Sequence, residues 1–203
     1  IVASLVGSEM CIRDRIQSGL NGIDSISLSP LNYTMPELPY SILNKNYFRL
    51  VGMPSDNPGT YNNANPNEYL FDNNSDWSGD DTYTYNSGPN SLPHHFTVDL
   101  GVNTDLRRID IHSINPEIES ANNPTLIQVW GRDNLNFAET NSSDEDDFIN
   151  AGWVLLKEQE VAGNETEMSS IIIPNSSSQK RFIRLRTLST VSNQGVKYTE
   201  LTF

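Results

Sequence analysis

The stretch PHHFTVDLG, residues 93–101, decides the fold class. Its apolar residues Phe96, Val98 and Leu100 occupy every second position and alternate with polar residues. Successive side chains on a β-strand point to opposite faces, so this alternation predicts a strand with one buried face and one polar face. Half-buried strands of this kind are typical of antiparallel sheets.

Seven further runs show the same alternation or an enrichment in β-branched and aromatic residues. The chain between them is rich in Asn and contains most of the 12 Gly and 11 Pro, which favour turns. We therefore predict about eight strands, no helix, and an all-β antiparallel β-sandwich or jelly roll. The predicted strands are Tyr47 to Val51, His95 to Leu100, Leu106 to Ile114, Thr125 to Trp130, Trp153 to Val161, Met168 to Ile173, Arg181 to Leu188 and Lys197 to Phe203.

Composition restricts the partners of the chain. It has 203 residues, of which 36% are hydrophobic, enough for one domain with a core. The formal net charge is −13, from 13 Lys and Arg against 26 Asp and Glu. Such an acidic protein repels phosphate backbones, so no nucleic acid is expected and partners should be neutral or cationic. No run approaches the roughly 18 consecutive apolar residues of a membrane-spanning helix.

Residues 1–15 are interpreted as foreign to the protein. The segment from Glu9 to Arg15 looks like a translated transposon-end sequencing adapter, and a signal peptide would carry its charge before the apolar run rather than after it. The single cysteine, Cys11, lies in this segment, so no disulfide, thiol nucleophile or cysteine metal site is expected elsewhere. Residues 16–43 contain several Ser and Pro and are predicted to be a linker or the tail of a missing upstream domain.

The sequence lacks the common catalytic motifs. His94, His95 and His112 form no His-Glu-x-x-His pair, and there is no Gly-x-Ser-x-Gly elbow or Gly-rich phosphate loop. A carboxylate pair of the glycosidase type needs a desolvated acid, whereas most acids here lie in polar segments, so no catalytic residue is predicted. The acidic run from Asn141 to Asp147 lacks the ligand spacing of a calcium loop and is predicted to be solvated.

Five segments in order resemble the discoidin family, also called the coagulation factor V/VIII type C or galactose-binding-like domain. They are Tyr69 to Asn74, Pro93 to Gly101, Pro124 to Asp133, Gly152 to Leu156, and Arg181 to Leu185 followed by Tyr198 to Phe203. The resemblance covers Asn44 to Phe203 and is strongest toward C-terminal discoidin-like domains of Bacteroidetes surface proteins encoded with glycan-uptake systems. It implies the same sandwich that the alternation predicts.

The resemblance also implies a structural calcium ion. At positions matching the family pattern, the ligands would be Asp72, Asn74 and Glu200, with a carbonyl oxygen from Tyr69 or Leu70. An oxygen-only set of this kind suits Ca²⁺. The sequence departs from the pattern at residue 73, which is Asn rather than the usual Gly. The alternative is that Asp72 and Asn74 cap a turn without a metal ion.

Carbohydrate-binding members of the family use loops at one end of the sandwich, where aromatic rings stack on sugars. By this resemblance, and because they end or connect predicted strands, the expected ligand-binding residues are Trp77, Tyr83, Tyr85, His112, Asn115 and Arg132. Rings combined with amide and acid groups suit neutral, hydroxylated ligands. The alternative is that the loop aromatics pack under their own loop. Trp130 and Trp153 are predicted to be core residues, and Arg184 and Arg186 to be ion-paired in the sheet.

The predicted function is a noncatalytic carbohydrate-binding module of a secreted or cell-surface bacterial protein, anchored to the outer membrane through a missing N-terminus. Its partner would be a glycan. Two alternatives remain open, because a fold does not fix a ligand. The domain could be a protein-adhesion or structural spacer domain, or an accessory domain of a glycoside hydrolase whose catalytic part lies upstream.

Overall fold

The computed structural model describes residues 2–6, 9–13, 41–54, 56, 70–75, 85–86, 92–135, 144–174, 179–193 and 195–203. The chain divides into two compact units, Ile1–Tyr40 and Ser41–Phe203. In the first unit, strands β1 (Val2–Val6) and β2 (Glu9–Arg13) pair as an antiparallel hairpin. The described residues include no helix with the length and apolarity needed to cross a membrane.

The second unit is an antiparallel β-sandwich. Its elements are a 3₁₀ helix (Lys45–Tyr47), β3 (Arg49–Val51), β4 (Tyr85–Asn86), β5 (His94–Thr104), β6 (Arg108–His112), β7 (Pro124–Arg132), α1 (Glu145–Asn150), β8 (Val154–Glu160), β9 (Met168–Ile172), β10 (Lys180–Thr190), β11 (Lys197–Tyr198) and β12 (Glu200–Thr202). One sheet has five strands in the order β3-β5-β10-β7-β8, another has three in the order β12-β6-β9, and a short pair joins β11 to β4.

The predicted fold class is confirmed, and each of the eight predicted segments contains a strand. Two differ in detail: Tyr47 belongs to the 3₁₀ helix, and the segment from Lys197 to Phe203 divides into β11 and β12. The alternating apolar residues of β5, β6 and β10 are buried in one hydrophobic core shared by the two main sheets. Phe96, Val98 and Leu100 lie in this core, as the first stretch predicted. Burial of such side chains contributes roughly 1.5–3 kcal/mol each, so the period-two pattern is what stabilises the sandwich.

The prediction that the chain has no helix is wrong for α1, in addition to the short 3₁₀ helix at Lys45–Tyr47. Within the acidic run expected to be a solvated loop, residues Glu145–Asn150 form α1. Phe148 is the reason, because it is buried and packs edge-on against His95 and Trp130 with ring centroids 5.0 and 5.4 Å away. The acidic residues lie in the first turn, where the helix dipole favours negative charge.

Helix α1 covers a second hydrophobic cluster beside the five-stranded sheet, formed by Trp130, Phe148, Ala151, Trp153 and Phe182. Trp130 and Trp153 are therefore core residues, as predicted. Arg184 Nη2 lies 3.3 Å from Asp56 Oδ1, and Arg186 Nη1 lies 2.7 Å from Glu145 Oε1, which confirms that both arginines are ion-paired. Both are also buried, because aromatic rings cover this polar face of β10.

A bidentate ion pair at the other end of β10 makes stability depend on acid. Asp99 accepts hydrogen bonds from Arg181 Nε at 2.8 Å and Nη2 at 2.9 Å. Burial alone would raise the pKa of Asp99, but the bonds from Arg181 and from the Gly101 amide outweigh it and hold the pKa below its usual value. A carboxyl with a lowered pKa stabilises the fold above its unfolded pKa and loses that contribution as the pH falls.

We therefore expect Asp99→Asn to lower the melting temperature by a few degrees at pH 7 and by less at pH 3. The physical reason is that acid already weakens the ion pair in the unmodified protein. Melting curves followed by circular dichroism between pH 3 and pH 7 measure this. Asp105→Asn is the matched control, because Asp105 pairs with Arg107 only two residues away and is 38% exposed. An equal loss at both pH values for Asp99→Asn would contradict the expectation.

Candidate ligand-binding end

Three loops form one end of the sandwich, which we call the loop end: residues 113–123, 161–167, and 191–193 with 195–196. Backbone hydrogen bonds join them. Ser113 N donates to Glu167 O at 2.7 Å, and Val191 N donates to Asn123 O at 3.1 Å. β6 therefore finishes where β7 starts and β10 finishes. Backbone groups that bond across loops are not free to bond water, so these loops hold a defined shape.

Asn123 organises the loop end from inside. Its side chain is fully buried, and Nδ2 donates to the carbonyl oxygens of Ile114 at 2.6 Å and Gly163 at 3.0 Å. Oδ1 accepts from Ile114 N at 3.1 Å. A β-carbon at Gly163 would collide with the carbonyl oxygen of Pro124, so the loop approaches β7 as closely as only glycine allows. One amide thus fixes two loops against the start of β7.

A shallow cavity of about 370 Å³, open to solvent over most of its extent, lies at the loop end. An open depression of this kind can hold part of a saccharide but does not enclose it. The lining is neutral and consists almost entirely of hydroxyl and amide side chains, so it can donate and accept hydrogen bonds without a net charge. The lining residues are Thr125, Asn164, Ser189, Thr190, Val191 and Asn193.

The end of β10 shapes this cavity. The pairing of β10 with β7 shifts register on both sides of Ser189, so the strand departs from a regular ladder there. Ser189 Oγ and Thr125 Oγ1 share a hydrogen bond of 2.8 Å across the two strands. Thr190 Oγ1 is buried and has no hydrogen-bond partner among the described residues. An unpaired buried hydroxyl is costly, so this strand end is less well satisfied than a regular ladder would be.

Asn193 lies at the mouth of the cavity in the left-handed backbone region, with φ of 56°. Asn tolerates this conformation better than other residues with a side chain. Its amide N–H donates to Thr190 O at 3.1 Å. The turn therefore carries an amide group to the cavity at a position where most residues would be strained.

Two residues expected from the sequence lie at this end. His112 is the last residue of β6 and is half-buried. Burial lowers the pKa of His112, and the positive charge of Lys45 lowers it further. The negative charges of Asp110 and Glu167 raise this pKa but do not outweigh burial. Asn115 forms a turn, because its Oδ1 accepts from Glu117 N at 2.9 Å.

The aromatic residues expected to stack on a sugar are Trp77, Tyr83 and Tyr85. Trp77 and Tyr83 lie outside the described residues. Tyr85 belongs to β4, where its backbone pairs with Tyr198 of β11. All three remain predictions from the sequence.

Arg132 was expected to line the same rim as Asn115, and this placement is wrong. β7 begins at the loop end with Pro124 and reaches Arg132 eight residues later, about 26 Å away at the rise of a β-strand. Arg132 is only 1% exposed, and its guanidinium carbon lies 5.7 Å from the centroid of the Trp153 ring. Arg132 is therefore a packing residue of the second hydrophobic cluster at the opposite end of the sheet.

Two of the residues implied as calcium ligands, Asp72 and Glu200, lie near each other, and the ammonium group of Lys45 lies beside them. Glu200 Oε1 forms an ion pair with Lys45 Nζ. Burial raises the pKa of Glu200 to about 7, and the negative charge of Asp72 raises it further. The Lys45 ammonium and the hydrogen bond from Asn73 N–H lower this pKa but do not cancel the effect of burial. Asp72 Oδ1 accepts from Asn74 N at 2.8 Å, as in a turn cap. In the described part of the chain, no three His, Cys, Asp or Glu residues form a metal-binding group. The implied set has only two residues of those types, so the calcium site stays a prediction from the sequence, at a place where Glu200 faces an ammonium group of the chain itself.

Sequence reasoning missed the cavity residues. Ser189 and Thr190 belong to a strand, and the sequence gives no sign that the ladder becomes irregular at its end. Asn164 and Asn193 lie in connections between strands, where the abundance of Asn indicated turns and no particular residue. The available signal was the cluster of three hydroxyl side chains at the end of the predicted strand, Thr187, Ser189 and Thr190.

Comparisons with known proteins agree with the architecture. The family model of DUF5000, a domain of unknown function, matches residues 71–170. No curated protein matches the chain. Three solved structures each align with 80% of this chain. A SusE-like protein, BT2857, is 24% identical and is covered over 99% of its length, with a TM-score of 0.63. A family 32 carbohydrate-binding module from Clostridium perfringens, in complex with GalNAc-β-1,3-galactose, is 13% identical and covered over 98% (TM-score 0.54), and the C-terminal domain of a chitobiase from Bacteroides fragilis is 16% identical and covered over 95% (TM-score 0.53). The chain has the discoidin-like β-sandwich fold of these structures, so the resemblance seen in the sequence is confirmed at the level of the fold.

Proposed function

We propose that this domain is a noncatalytic module that binds a neutral saccharide at the loop end. The observation that carries the proposal is the cavity lined by hydroxyl and amide side chains. Saccharides present alternating hydroxyl donors and acceptors, which such a lining complements. The likeness to a module solved with GalNAc-β-1,3-galactose supports the same class of ligand.

The charge of the protein favours an uncharged ligand. None of the six lining residues is charged, and the whole chain carries a formal net charge of −13. A uronic or sialic acid would meet no arginine or lysine in the cavity lining and would be repelled at long range. We therefore propose that neutral sugars are bound and anionic sugars are rejected.

Aromatic residues would supply the rest of the affinity. Trp77 and Tyr83 are the rings that the sequence places in the segment before β5, and stacking on a pyranose ring buries apolar area with few rotatable bonds lost. In this proposal the cavity fixes orientation through hydrogen bonds, and one of these rings covers the apolar face of the sugar. The module would belong to a secreted or cell-surface protein, where glycans are encountered.

The test is saccharide binding by three variants of the cavity lining: Ser189→Ala, Asn164→Ala and Asn193→Gly. Each removes a hydrogen-bonding group, and the glycine keeps the left-handed turn that Asn193 occupies. We expect each to weaken binding about three- to tenfold, the cost of one neutral hydrogen bond. Calorimetric titration with GalNAc-β-1,3-galactose, after a screen on an array of neutral and anionic glycans, measures it.

Asn150→Ala is the matched control, because Asn150 is exposed and lies far from the cavity. It is the last residue of α1, and α1 leads into β8 at the opposite end of the sheet. It should bind as the unmodified protein does. Trp77→Ala and Tyr83→Ala test the predicted stacking residues in the same titration. Absence of binding to any glycan at millimolar concentration would contradict the proposal and favour a spacer domain. A preference for anionic glycans would contradict the proposed ligand class.

A further inference from the structure

Three segments that are distant in the sequence meet around the carboxylate of Glu200. The first contains Lys45 in the 3₁₀ helix, the second is the turn at residues 72–74, and the third is β12. Leu43 N donates to Phe203 O at 3.0 Å, which joins the first segment to the third. Phe48 packs edge-on against Phe71 at 5.4 Å and Phe203 at 5.3 Å, so an aromatic cluster joins all three.

Lys45 supplies positive charge at this junction. Its side chain is only 9% exposed and that of Glu200 is only 3% exposed, so the ion pair is largely removed from water. The two residues are 155 positions apart, and their contact therefore joins the beginning of the sandwich to its last strand. Asn44 holds the helix that presents Lys45, because its Oδ1 accepts from Asn46 N at 3.0 Å.

The turn at residues 72–74 places the negative charge of Asp72 near Glu200. Asn73 has a φ of 67°, so the chain reverses sharply there. Asp72 Oδ1 accepts a hydrogen bond from Asn74 N at 2.8 Å, as in a turn cap. A calcium ion requires six to eight oxygens, and the ammonium on Glu200 would both occupy the space of such an ion and repel it.

We propose that the Lys45 ammonium replaces a structural calcium ion in this sandwich, joining the same segments of the chain without a bound metal. The domain would then keep its stability at any calcium concentration. This inference concerns the fold and is independent of the proposed ligand.

The experiment is thermal unfolding of the full chain with 1 mM EDTA or 5 mM CaCl₂. The unmodified protein should melt at the same temperature in both. Lys45→Met keeps the unbranched side chain but is one atom shorter and lacks the ammonium group, and in EDTA it should melt about 5–15 °C lower, because a buried carboxylate loses its partner. Calcium should restore at least a third of that loss, since the vacated space beside Asp72 and Glu200 becomes available to a cation.

Two controls make the result specific. Lys157→Met removes a half-buried lysine from β8 and should leave the melting temperature within about 2 °C. Lys45→Met combined with Glu200→Gln should not respond to calcium. A calcium-dependent rise in the melting temperature of the unmodified protein, or one calcium retained per chain after dialysis, would overturn the proposal. A Lys45→Met variant that ignores calcium would also overturn it, because Lys45 would then be an ordinary ion-pair partner. Should that variant fail to fold, calcium retention by the unmodified protein still decides the question.

Discussion

Arg184→Ala is expected to lower the free energy of unfolding by about 4 kcal/mol, the range for breaking a buried ion pair by removing one partner. For a domain of this size, that loss lowers the melting temperature by about 8–16 °C. Urea denaturation followed by tryptophan fluorescence measures it directly, because Trp130 and Trp153 lie in the second hydrophobic cluster.

The physical reason lies in the surroundings of the guanidinium group. Arg184 is completely buried, and its guanidinium carbon lies 4.6 Å from the centroid of the Phe148 ring and 4.2 Å from that of the Trp153 ring. Asp56 balances its charge, and Thr97 Oγ1 donates to that carboxylate at 3.0 Å. Alanine would remove the charge that Asp56 pairs with and the surface on which α1 packs.

Two variants separate charge from shape. Arg184→Lys keeps the positive charge but loses the planar group that stacks between the rings, so we expect about half of the loss seen with alanine. Arg108→Ala is the matched surface control, because Arg108 also pairs with an aspartate, Asp110, but is 52% exposed. It should cost less than about 1 kcal/mol. A loss for Arg184→Ala as small as that of Arg108→Ala would contradict the role assigned to the buried cation.

The period-two alternation predicted the main core because burial on one face is recorded directly in the sequence. Phe96, Val98 and Leu100 could occupy one face only if the segment were extended. The second cluster could not be predicted in the same way. Arg184 and Arg186 alternate with Ile183 and Leu185 as a solvent-facing row would, and nothing local shows that a helix of six residues covers that row.

The wrong placement of Arg132 has a topological cause. Asn115 follows the end of β6, and the loop that contains it leads into the start of β7, so those two points share one end of the sandwich. A residue at the end of β7 must then lie at the opposite end. The order of the strands along the chain shows which strand ends lie at the same end of the sandwich. The presence of polar residues next to a strand end does not show this.

The cavity could be foreseen only in part. The sequence indicated that polar residues of strand ends and loops would line a site at one end of the sandwich. It could not indicate Ser189 and Thr190, because their exposure to the cavity depends on register shifts between β10 and β7. It also could not distinguish Asn123 from the many other asparagines of the chain, since burial, and not residue type, makes it important.

Asn123→Asp is the second substitution expected to have a large effect, about 3–5 kcal/mol in the free energy of unfolding, because several buried hydrogen bonds change at once. Aspartate has the shape of asparagine, yet it replaces the donor group that faces two carbonyl oxygens, those of Ile114 and Gly163, with an acceptor. Oxygen would then face oxygen at a fully buried position, where the repulsion is not screened by bulk solvent. Chemical denaturation measures the loss, and amide hydrogen exchange at Ile114 and Val191 locates it.

Asn150→Asp makes the same chemical change at an exposed position and should shift stability by less than about 0.5 kcal/mol. Asn123→Ala gives the intermediate case, because it removes three hydrogen bonds but adds no repulsion, so we expect about 2–3 kcal/mol. If the loops hold the cavity as proposed, Asn123→Ala that is still folded at 15 °C should bind saccharide at least tenfold more weakly than Asn150→Asp. Lower stability alone does not weaken binding, because a correctly shaped domain binds normally below its melting temperature. Unchanged binding by folded Asn123→Ala would therefore show that the cavity forms without the buried amide.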